Sequence, residues 1–101
     1  MNIKFSYLYR DAGNYKNYGE VVFANPDNVS IEEIETVIKS KLIEGQWFVA
    51  KEWGVPDLHF EKWDEELDHG WHEFENVTYT NKEFFSATPL KNFLLLIQEK
   101  K

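Results

Sequence analysis

A chain of 101 residues, 43% hydrophobic and 17% aromatic, has the size of one domain and too much apolar material to stay disordered. It contains no cysteine, which excludes disulfides and thiolate metal sites. The net charge of −7 is concentrated between Glu52 and Glu75, where nine acids accompany one base, Lys62, while the remainder carries nine acids and ten bases; a field of that sign repels phosphate backbones, so no direct nucleic-acid binding is expected there, and attraction of a basic partner is.

The opening MNIKFSYLYRDAG has no apolar h-region, so it is not expected to be a signal peptide. The longest apolar run, Phe93 to Ile97, is too short to span a bilayer. A single cytoplasmic domain over residues 1–101 is the expectation. In chain order, Asn2 to Arg10 alternates with the period of a strand, Ile3, Phe5, Tyr7 and Tyr9 on one face and Lys4, Ser6, Leu8 and Arg10 on the other. DAGNYKN follows as a turn in which Gly13 and Asn14 tolerate positive φ, and Tyr18 to Ala24 returns as the second strand of a hairpin. NPDN at Asn25 to Asn28 closes the unit.

Ser30 followed by Glu33 is a capping-box pattern, and Ile31, Ile34, Ile38 and Leu42, supported by Val37, make one helical stripe that Gly45 is placed to end. Gln46 onward begins as a strand and turns before Gly54 and Pro56, and Leu58 to Lys62 is a short strand candidate. His72 to Thr80 reads as a further strand with a phase slip near Glu75 and Asn76, the mark of a bulge. Thr88 as cap, Pro89 at the first helical position and an apolar face of Leu90, Phe93, Leu94 and Ile97 define a second helix. The predicted order is β-β-α-β-β-α. Two helices with one apolar stripe each need a common surface, which points to an α+β two-layer sandwich with about four mostly antiparallel strands.

Three histidines, His59, His69 and His72, lie among carboxylates and form the candidate metal set. No cysteine-based or HExxH zinc pattern accompanies them. Laid on the EF-hand loop, Asp64, Glu66, Asp68 and Glu75 take the first, third, fifth and twelfth positions, but the required glycine is His69, with Gly70 one place late. No cofactor or required metal is therefore expected. Asp68, His69, His72 and Glu73 have the chemistry for acid–base work, yet no nucleophile arrangement, phosphate loop or GxSxG turn appears, so catalysis is not expected either. Four tryptophans, Trp47, Trp53, Trp63 and Trp71, overlap the acidic segment. Trp63 and Trp71 bracket the acids Asp64, Glu66 and Asp68, with Glu73 beyond, and an aromatic beside carboxylates suits capture of a basic protein surface. That set, Trp63, Asp64, Glu66, Asp68, Trp71 and Glu73, is the predicted binding site. Divalent-metal binding, or a small hydrolase using the histidine–carboxylate cluster at 59–75, is the alternative.

YLYRDAGNYKNYGEVVF and ELDHGWHEF resemble a group of small bacterial proteins without an assigned activity, over most of the chain. That resemblance implies a bacterial or mobile-element setting and brings no catalytic residues. In size and acidity the chain is also similar to immunity, antitoxin and anti-defence proteins, a likeness of type that no motif carries.

Overall fold

The computed structural model describes residues 1–59, 70–83 and 88–99. Strand β1 (Asn2–Arg10) and strand β2 (Lys16–Phe23) form the expected hairpin, in register from Ile3 opposite Phe23 to Arg10 opposite Lys16. At its turn Asn14 takes the left-handed conformation (φ 68°), and the Asp11 carboxylate accepts from the Tyr15 N–H at 2.9 Å. A side chain there replaces the backbone partner that the turning chain has lost.

Helix α1 (Ile31–Lys41) starts as its capping pattern predicts: the Ser30 hydroxyl accepts from the Glu33 N–H at 3.2 Å. It stops before Gly45, and the chain turns through Glu44 and Gly45, both at positive φ. Strand β3 (Trp47–Phe48) is two residues long and leads into the four-residue helix α2 (Ala50–Trp53), which Gly54 ends in the left-handed conformation. Strand β4 (His72–Thr80) and helix α3 (Leu90–Glu99) follow. The Leu90 N–H donates to the Ala24 carbonyl at 3.0 Å, tying the start of α3 to the end of β2.

All strand pairs are antiparallel, in the order β2-β1-β4-β3, so β1 is central. The fold is α+β. The element order differs from the predicted one by α2, which lies where the residues after Phe48 were expected to turn. Leu58 and His59, expected to open a strand, belong to none; the rest of that candidate, to Lys62, lies outside the described residues. The predicted phase slip in β4 is present. Pairing with β1 shifts between Ser6 and Tyr7, leaving Glu75 as the extra residue. One added residue moves the inward phase, so His72 before the bulge and Val77 after it are both buried.

The core gathers Ile3, Phe5 and Tyr7 of β1, Phe23, Val77, Ile34 and Ile38 of α1, and Leu90, Phe93, Leu94 and Ile97 of α3. Each such side chain contributes about 1.5–3 kcal/mol when fully removed from water. Ile31 and Leu42, predicted to be buried, are only partly so, because they are the two ends of the stripe, where α1 meets its connecting turns. Leu8, on the opposite face of β1 with Lys4, Ser6 and Arg10, is buried as well. Its strand neighbours Tyr18 and Glu73 lie directly beside it on either side of central β1. Among the described residues no helix is long and apolar enough to cross a membrane.

Candidate functional site

The inward face of β1 changes chemistry along its length. Ile3 and Phe5 meet the helices, whereas Tyr7 and Tyr9 lie beside His72, with ring centroids 5.9 and 5.3 Å away. His72 opens β4 directly opposite Phe48 of β3 and is 1% exposed. The cover over this half is the irregular segment from Val55 to His59.

Four contacts fasten that segment. The Tyr7 hydroxyl donates to the Pro56 carbonyl at 2.6 Å, and the Asn17 side-chain amide donates to the Leu58 carbonyl at 3.0 Å. The Leu58 N–H donates to His72 Nε2 at 2.9 Å. The Leu58 side chain rests on Gly19 of β2, where an added Cβ would lie 2.9 Å from the Leu58 methyls. A backbone that forms no ladder must find its partners among side chains, and a glycine in a strand often marks such a close approach.

The segment brings Asp57 and His59 to His72. His59 Nδ1 and Asp57 Oδ1 are 2.8 Å apart, and the His59 N–H donates to the same oxygen at 2.8 Å. His72 Nε2 lies 3.5 Å from that oxygen, and one potential ligand atom from each of the three residues falls within 4.8 Å of the others. The Tyr9 ring meets the His59 ring edge-on at 4.4 Å. Burial, and then the Asp57 charge, push the Tyr7 hydroxyl up to about 12, so it remains a protonated donor to Pro56 at neutral pH. The Leu58 N–H needs a lone pair on His72 Nε2, which places the ring in a form without a proton on that nitrogen.

The alternative metal set of three histidines is partly assembled: His59 and His72 meet, joined by Asp57, which the sequence did not single out. Its local signal was an acid two residues before a histidine; the distant signal was Gly19 inside a strand. His69 lies outside the described residues, as do Trp63, Asp64, Glu66 and Asp68 of the predicted binding set. Trp71 is 38% exposed and stacks on Trp47 of β3 at 5.3 Å with planes 29° apart. Glu73 is held on the opposite face of β4 by Arg10, whose Nε and second guanidinium nitrogen lie 2.7 and 3.3 Å from its oxygens. Arg10 also donates to the Asn14 side chain at 2.6 Å, so this ion pair ties β4 to the hairpin turn. Glu75, the last acid of the EF-hand template, is exposed at the bulge. No protein-family model, curated protein or solved structure matches the chain.

Proposed function

We propose that this is a non-enzymatic binding protein that takes a basic protein partner through its acidic segment, with Trp71 as the aromatic contact, in the manner of immunity, antitoxin or anti-defence proteins. The supporting observation is the exposed Trp71 ring, stacked on Trp47 and falling within the sequence stretch from Glu52 to Glu75, which holds nine acids and one base. A ring already ordered by stacking loses little freedom on contact, and tryptophan is enriched among the residues that dominate interface energies. The acids of that stretch supply long-range attraction, which accelerates encounter with a basic surface and weakens as salt is added. In this proposal α1 and α3 cover the sheet as the second layer of a two-layer sandwich, leaving the Trp47–Trp71 end for the partner. The cytoplasmic setting and the kinship with small bacterial proteins are parts of the same proposal.

The test is a pull-down from the native host with wild-type protein, the Asp64→Asn/Glu66→Gln/Asp68→Asn triple variant and Trp71→Ala. One stoichiometric partner that is lost from both variants, and released from wild type by salt, is the expected result. An unchanged partner list in both variants would overturn the proposal.

A further inference from the structure

We infer that Asp57, His59 and His72 form a binding site for a borderline first-row divalent cation, with Zn2+ the best-matched ion. Two imidazoles and one carboxylate are the donor set that zinc and its neighbours favour, and three protein ligands leave a position for water. Asp57 Oδ1 is 2.8 Å from His59 Nδ1 and 3.5 Å from His72 Nε2. Bonds of roughly 2.0–2.1 Å in a tetrahedral arrangement put donors about 3.4 Å apart, so the separation from His72 is already that of one coordination sphere, while the His59–Asp57 pair, now at hydrogen-bond distance, must release its proton and open by roughly 0.6 Å. The widest separation in the cluster, at most 4.8 Å, needs to contract by no more than roughly 1.4 Å to reach that value.

The three ligands differ in freedom in a way that suits capture of an ion. His72 is fixed by burial between β1 and β3 and offers a lone pair at Nε2. His59 is part-buried against Tyr9, while the Asp57 side chain is 59% exposed and provides both the adjustment and the entry path. The Leu58 N–H now bonded to Nε2 is the group an incoming ion displaces. This hydrogen bond holds the segment together without metal, so the fold does not depend on the ion.

Metal-free protein titrated with Zn2+ alone by calorimetry, and with Co2+ by visible absorption, tests the site. Expected are one ion per chain, a Tm that rises with Zn2+ concentration, and Co2+ bands of histidine coordination. Asp57→Asn and His59→Gln should each weaken Zn2+ binding by about tenfold or more, since even indirect support of a metal ligand is commonly worth that much. Both variants alter side chains with solvent access, and their metal-free melting curves establish that they remain folded. The His72 imidazole and Leu58 amide resonances should shift together on adding Zn2+. Binding of several ions with affinity unchanged in both variants would overturn the inference, and so would loss of binding in His69→Gln with Asp57→Asn unaffected.

Discussion

One face of β1 carries two kinds of cover. At its first half Ile3 and Phe5 pack in one cluster with the apolar stripes of α1 and α3, whose backbone groups beyond the first turns are paired within each helix. At its second half Tyr7 and Tyr9 lie under the irregular Val55–His59 segment, which reaches the sheet through Tyr7, Asn17 and His72. A helix can cover a sheet with hydrocarbon alone. An irregular segment cannot, because its N–H and C=O groups must be paired from outside, and the polar groups recruited for that purpose bring chemistry with them. The histidine–carboxylate cluster sits where the cover is irregular for this reason.

The two halves should respond differently to truncation. Ile34→Ala and Leu94→Ala remove buried hydrocarbon from the helical half and should each destabilise the protein by about 2–5 kcal/mol, measured by urea unfolding. Near-zero loss at both positions would show that the helix faces do not carry the core. In the polar half the leading effect is alkaline. The Tyr7 hydroxyl titrates near 12 when folded against about 10 when unfolded, so its contribution is complete below pH 10 and lost as pH rises from 10 to 12. Two pKa units correspond to at most about 2–3 kcal/mol. Unfolding in metal-free buffer should show that slope in wild type and a shallower one in Tyr7→Phe; equal slopes would mean that the hydroxyl is not buried beside Asp57 in the folded protein.

The same contrast explains what was legible in the sequence. The helical half announced itself through local regularities: Ser30 and Glu33 at capping spacing, the isoleucines of α1, the alternation of β1, and the phase slip at Glu75 that became the bulge. The segment from Val55 to His59 has no period, and its partners Tyr7, Asn17 and Gly19 are about forty or more residues away in sequence. Strand β3, with two residues, is too short to show alternation. Asp57 looked like one acid among nine, and its meeting with His59 and His72 depends on that long-range fastening.

Gly19 offers a finer probe of the fastening. A methyl there meets the Leu58 side chain at 2.9 Å, so Gly19→Ala should cost about 1–3 kcal/mol by overpacking, toward the lower end because a side-chain tip can yield. Combining it with Leu58→Ala should cost less than the two changes added, since the smaller side chain removes the clash. Strict additivity by chemical denaturation would mean that the segment does not bear on β2 at this point.

The smallest expected effect belongs to the start of the helical cover. Asn25 is buried and accepts from the Val29 N–H while donating to the Val29 carbonyl, both at 3.0 Å, which brings the chain to Ser30 in a defined direction. The Ser30 hydroxyl then takes one of the unpaired N–H groups of the first turn. Ser30→Ala removes only that bond, in an exposed position, and should cost about 1 kcal/mol, whereas Ser30→Gly should cost a few tenths and Ser30→Asp almost nothing. Because the Ser30 hydroxyl bonds the first turn of α1 whereas the Tyr7 hydroxyl bonds the Pro56 carbonyl, none of these variants should alter the alkaline slope assigned to Tyr7. A Ser30→Ala protein that lost the pH dependence as well would show that the two covers fold and fail as one unit, and the division between them would then be one of composition alone.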